Sequence, residues 1–68
     1  MTTEQIIIEL KHRLQECYDV AEANALARMV VEEVLHYSPV EVLLRGKVEQ
    51  DGVIVERIRS IADRQRKG

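Results

Sequence analysis

Sixty-eight residues, 46% apolar but with two Tyr and neither Trp nor Phe, make one small domain whose core must be built from Leu, Ile, Val and Ala. A single Cys excludes an internal disulfide and a multi-cysteine zinc site, so the expected setting is a reducing compartment, the cytoplasm. The net charge of −2 gives no global attraction to nucleic acid, no run of about 18 apolar residues exists to span a membrane, and the start Met1-Thr2-Thr3-Glu4-Gln5 lacks the basic and apolar parts of a signal peptide.

The first predicted helix covers about residues 3–16. Thr2 or Thr3 can cap it, and Thr2 with Gln5 has capping-box spacing. Ile6, Ile7, Leu10, Leu14 and Cys17 recur on one face at helical periodicity. Cys17 is expected to pack there as a small hydrophobe, because Glu16 and Asp19 flank it where a reactive thiolate needs positive charge. His12 and Glu16, four residues apart, read as a solvated pair, since two ligands on an exposed helix make a poor metal site.

Asp19 opens a second helix, about 20–37, with Glu22 as its capping-box partner. Ala23, Leu26, Ala27, Val30, Val31, Val34 and Leu35 hold the i, i+3, i+4 pattern through three cycles. The valines lower helix propensity slightly, but a strand would need period two. Arg28, Glu32, Glu33 and His36 fall on the opposite face. His36 is placed to interact, when charged, with the carbonyl end of the helix.

Ser38-Pro39-Val40-Glu41 is a sharp start signal for a short third helix, about 39–45. Ser38 caps, Pro39 takes the first helical position where its missing N–H costs nothing, and Glu41 completes the box. Val40, Leu43 and Leu44 are its apolar residues, and Arg45-Gly46 ends it.

The fourth helix, about 50–67, follows a polar connection and buries Ile54, Ile58, Ile61 and Ala62, with Val55 on the flank. Arg57, Arg59, Arg64, Arg66 and Lys67 are the densest basic cluster. They could touch phosphates, but Glu56 and Asp63 dilute them and no aromatic side chain stands by for base stacking. Ile8, Met29 and Val53 fall off the buried faces; gathered in space, they would mark a docking surface.

The expected architecture is all-α: a small helical bundle of three longer helices and one short one, forming a single domain over residues 1–68. No catalytic constellation, glycine-rich phosphate loop or metal-spaced cluster is visible, so no catalytic, cofactor-binding or metal-ligating residue is assigned.

The order of these elements resembles one family. Residues 21–44 (AEANALARMVVEEVLHYSPVEVLL) are similar to the N-terminal helical domain of the HemK/PrmC proteins, which methylate a glutamine of peptide-chain release factors. The matching features are Glu22-Ala23, the Ala-rich apolar helix over 27–35, the turn at Ser38 and the run Val42-Leu43-Leu44. The last helix matches as well: in the family it runs into an Arg-rich stretch, then Gly-Glu-Pro and a Gln-Tyr pair, and here it runs into Arg64-Gln65-Arg66-Lys67-Gly68, with Gly68 at the place of that Gly. A glycine past a helix ordinarily turns the chain into a next segment. The expectation is therefore the front module of a longer protein.

The first helix is only loosely matched. The family's Asn-Pro-Pro-Tyr motif and its S-adenosylmethionine loop belong to the catalytic domain and are not in these 68 residues, so no catalytic residue carries over. The resemblance implies a non-catalytic, monomeric docking domain whose partners are a release factor and the protein's own catalytic domain, with S-adenosylmethionine bound by the latter. Arg28, Glu32, His36 and Glu41 are the candidate protein-binding residues. The rival readings are a homodimeric helical adaptor, in which Ile8 and Met29 meet a second copy, and a small nucleic-acid-binding module using the basic end of the last helix.

Overall fold

Thr2 and Gln5 form the expected capping box: Thr2 Oγ1 accepts the Gln5 N–H at 3.2 Å, and Gln5 Oε1 accepts the Thr2 N–H at 2.9 Å. This box opens α1 (Thr3–Leu14) in a computed structural model that describes residues 1–67. The reading of Gly68 as a chain-reversing residue, and of the Lys67 side chain as part of the basic cluster, lies outside the described residues. Three further helices follow: α2 (Val20–Leu35), α3 (Pro39–Leu44) and α4 (Gly52–Lys67). The architecture is all-α, with no strand among the described residues.

Each remaining start has a local cause. Asp19 Oδ1 accepts the Glu22 N–H at 2.8 Å at the head of α2. Ser38 and Glu41 close a full capping box at α3, with Pro39 in its first turn. Asp51 Oδ1 accepts the Val53 N–H at 2.9 Å at the head of α4.

The helix ends differ from expectation. The first helix stops at Leu14 rather than near residue 16, because the Cys17 and Tyr18 N–H groups both turn back to Leu14 O. The second stops at Leu35 rather than residue 37. His36 adopts the left-handed conformation (φ 57°, ψ 38°), and the His36 and Tyr37 N–H groups both reach Glu32 O. His36 thus ends the helix through its backbone, beyond the side-chain role expected of it. No glycine among the described residues takes positive φ, so Gly46 is not needed to reverse the chain after α3.

Helix α2 packs against the other three, and α1 also packs against α4. The core takes Ile6, Leu10 and Leu14 from α1, Ala23, Ala27, Val30 and Val31 from α2, Val42 from α3, and Val55, Ile58 and Ala62 from α4. Positions on three elements differ from the periodic reading. Cys17 lies past the end of α1 and is exposed, with its Sγ–H donating to Arg66 O at 3.2 Å. Val55 is buried rather than on the flank, while Ile54 and Ile61 are only half-buried beside it. In α3 the residue that enters the core is Val42, whereas Val40, Leu43 and Leu44 face solvent. A six-residue helix lying on α2 presents only about one turn of contact, too little to bury three neighbouring apolar residues.

The connection between α3 and α4 folds back onto the start of α1. Thr3 N–H donates to Val48 O at 3.0 Å and Glu4 N–H to Gly46 O at 2.9 Å, and an isolated antiparallel bridge pairs Thr2 with Glu49. Thr3 is fully buried; its hydroxyl donates to Val48 O and accepts from Gln50 Nε2 at 3.0 Å.

Two stability outcomes follow from this packing. Leu10→Ala, at a fully buried site, is expected to cost about 2–5 kcal/mol, a large share of what so small a domain has. Urea melts followed by circular dichroism measure it. His36→Gly is expected to raise stability by up to about 1 kcal/mol, because glycine adopts positive φ without a Cβ penalty that reaches about 1–2 kcal/mol. An unchanged or lower midpoint would contradict that account of the α2 terminus.

Candidate docking surface

The four candidate protein-binding residues do not share one surface. Arg28 projects from α2 into a groove of about 260 Å³ that α1 and α3 complete, with Glu4, Ile7, Ile8, Val42, Leu43 and Gly46 as its other walls. His36 lines a separate groove of about 370 Å³ between α2 and α4, with Glu33, Val34, Arg57, Ile61 and Gln65. Glu32, one turn from Arg28, is half-buried, and its carbonyl receives the closing bonds of α2.

Glu41 is occupied by its own helix. Its Oε1 accepts the Ser38 N–H at 3.0 Å, and its Oε2 lies 3.6 Å from Arg45 Nε. The Ser38 hydrogen bonds, foremost the one from its backbone, and the nearby Arg45 charge hold this carboxyl below the usual glutamate range. Glu41 thus serves first to start α3.

The groove around Arg28 brings together residues from α1, α2 and α3 that lie far apart in the sequence. Ile8, off the core face of α1, is half exposed and lines it together with Leu43, exposed at 66%. Met29 and Val53 are exposed too but do not line this groove. Arg28 Nε is buried and has no hydrogen-bond partner among the described residues. Sequence reasoning missed Leu43 and Val42 as groove walls. The available signal was the density of apolar residues in a helix too short to bury them all.

The seam between α1 and α4 has the opposite character. Its groove, about 430 Å³, is lined by Arg13, Glu56, Arg59, Ser60, Asp63 and Arg64. Glu9 and Arg59 form a two-pronged pair, Nε to Oε2 at 2.6 Å and Nη2 to Oε1 at 2.8 Å. Arg59 Nη1 also meets Glu56 Oε1 at 2.6 Å, and Arg13 Nη1 meets Asp63 Oδ1 at 3.4 Å. The Arg59 hydrogen bond is the main cause holding the Glu9 carboxyl below its ordinary value; partial burial opposes it, and the Arg59 and Arg13 charges reinforce it. Arg59 in turn is held still more firmly in its charged form.

The expected basic cluster is therefore dispersed. Arg59 is neutralised by two carboxylates, Arg66 pairs with Glu16 at 3.0 Å, and Arg57 faces the groove on the other side of α4. Because Glu16 turns to Arg66 beyond the end of α1, it does not form the expected pair with His12. Among the described residues no group of three or more His, Cys, Asp or Glu side chains is placed to hold a metal ion. No described helix is long and apolar enough to cross a membrane.

Comparison with known protein families, curated proteins and solved structures finds no match to this chain.

The Glu9–Arg59 pair sets a pH dependence. Because the folded Glu9 value lies below the ordinary 4.5, its contribution to stability is fully present above that pH and is lost as the pH falls through the folded value. Glu9→Gln is therefore expected to shrink the drop in urea midpoint between about pH 7 and about pH 3, leaving the share carried by Glu41. An equal drop in both proteins would show that the pair is not coupled to folding.

Proposed function

We propose that this chain is a protein-docking module, and specifically the substrate-holding N-terminal domain of a HemK/PrmC-type glutamine methyltransferase acting on a peptide-chain release factor. The observation that carries the docking reading is the groove in which the Arg28 guanidinium stands among the half-exposed and exposed apolar walls Ile8 and Leu43. Exposed apolar side chains gathered beside a polar rim mark interaction surfaces. The release-factor assignment rests on the resemblance over residues 21–44, in particular Ala27 to Leu35, Ser38 and Val42-Leu43-Leu44.

The chemistry explains why such a domain is useful. An amide nitrogen is a weak nucleophile, and its attack on a sulfonium methyl depends on orientation. Geometry alone can supply about 7–11 kcal/mol of barrier reduction in favourable cases. Binding energy gathered at a surface remote from the reacting atoms can be used to fix that approach. The chain's own part is to bind and orient the protein substrate. S-adenosylmethionine would be held by the separate catalytic domain.

Methylation kinetics test this reading. Removal of residues 1–68 from the parent enzyme is expected to raise KM for the release factor about tenfold or more, on the scale of a few lost anchoring contacts. Identical KM and kcat in both forms would rule out a docking role.

A further inference from the structure

We propose that the groove between α1, α2 and α3 binds a carboxylate-bearing apolar segment of a partner protein, with Arg28 gripping the carboxylate; this deepens, and rests on, the docking reading above. Arg28 Nε is buried without an acceptor among the described residues. The rest of the half-buried guanidinium has no carboxylate partner among the described residues, so its Nη donors are left to meet an acceptor from outside. The carboxylate nearest to hand, Glu4 on the same groove, is turned to Lys47 Nζ at 3.3 Å. Glu32, one turn along α2, makes no ion pair with Arg28.

The groove also fixes the kind of ligand. Nε is buried, so the fork left to a ligand is the pair of Nη groups, whose parallel donors match the two oxygens of a carboxylate. Ile7, Ile8, Val42 and Leu43 supply apolar walls on either side, so the residues flanking the carboxylate must be apolar. At about 260 Å³ the groove is below the usual range of ligand pockets and suits a few side chains rather than a nucleotide. A phosphorylated segment fits less well, because one Arg beside the Glu4 carboxylate offers little to a dianion. Leu44, next to the groove wall Leu43 on α3 and 78% exposed, adds apolar surface outside the groove lining.

The test is a titration of the ¹⁵N-labelled chain with the blocked tripeptide acetyl-Leu-Leu-Glu-amide and its Gln counterpart. The Glu probe is expected to shift the amides of Ile7, Ile8, Val42 and Leu43 and the Arg28 Nε–H signal. It should bind about tenfold more tightly than the Gln probe, as a charge-assisted hydrogen bond requires. Arg28→Gln should abolish that preference, and Arg28→Lys should not restore it, since an ammonium lacks the fork. Leu43→Ser, at an exposed position, should weaken both probes and serves if the Arg28 variants fail to fold.

Equal binding of the two probes, shifts confined to other surfaces, or the same shifts appearing on concentration without any probe would overturn the proposal; the last outcome would make a second copy the occupant. A parallel pull-down with a release factor separates the two readings. Undiminished capture by folded Arg28→Gln sinks the groove assignment and leaves docking intact. Failure of the unaltered chain to capture it, together with a normal probe response, supports the groove and sinks the release-factor reading.

Discussion

The start of α1 is satisfied by a segment more than forty residues away, and the arrangement of the bundle depends on that contact. The first N–H groups of a helix have no partner within it. Here Val48 O takes the Thr3 N–H, Gly46 O takes the Glu4 N–H, and Thr2 Oγ1 takes the Gln5 N–H. In return the Met1 carbonyl accepts the Gln50 N–H at 2.8 Å. The buried Thr3 hydroxyl links Val48 O to Gln50 Nε2, which also reaches Tyr37 Oη at 3.4 Å. Polar groups buried in this way must be paired or the fold loses their hydration for nothing. The pairing leaves the 45–50 connection little freedom, and with it the place of α3 beside α1. The groove that holds Arg28 is a consequence: Glu4 and Gly46, two of its walls, are joined by one of these bonds.

The two sides of the bundle then differ in how completely they satisfy themselves. Along the α1–α4 seam, Glu9, Arg13, Glu56, Arg59 and Asp63 answer one another. Such mutual pairing fixes the register of the helices and leaves little unmet charge for a partner. Across the molecule, the Arg28 guanidinium has apolar neighbours and a buried Nε without an acceptor. The unpaired donor thus lies on the α1–α2–α3 face and not on the more highly charged seam.

Much of the fold was legible in the sequence because its signals are short-range. The Thr2–Gln5 and Ser38–Glu41 boxes each span three residues, and both form as read. The apolar stripe of α2 likewise predicts Ala23, Ala27, Val30 and Val31 in the core. The misplacements arise where periodicity was extended past a terminus or across too short an element. Cys17 continues the stripe of α1 on paper, but the helix has already ended at Leu14. Leu43 and Leu44 look like core residues until the breadth of α3's contact with α2 is known. Of the candidate site, Arg28 stands in a groove, Glu41 caps α3, and His36 lines a separate groove between α2 and α4.

Helix number, the starts of the first three helices, the absence of aromatic bulk and most of the core were set by the sequence alone, since caps and periodicity act within about one helical turn; the fourth helix starts at Gly52 rather than residue 50. Only the tertiary structure decided which apolar residues stay in solvent, which arginines find carboxylates, and that Arg28 Nε finds none. Those outcomes depend on contacts such as Thr3 with Val48 and Glu9 with Arg59, whose partners lie 45 and 50 positions apart. No local pattern carries that information, because a side chain's neighbours across the bundle are fixed by how whole helices pack.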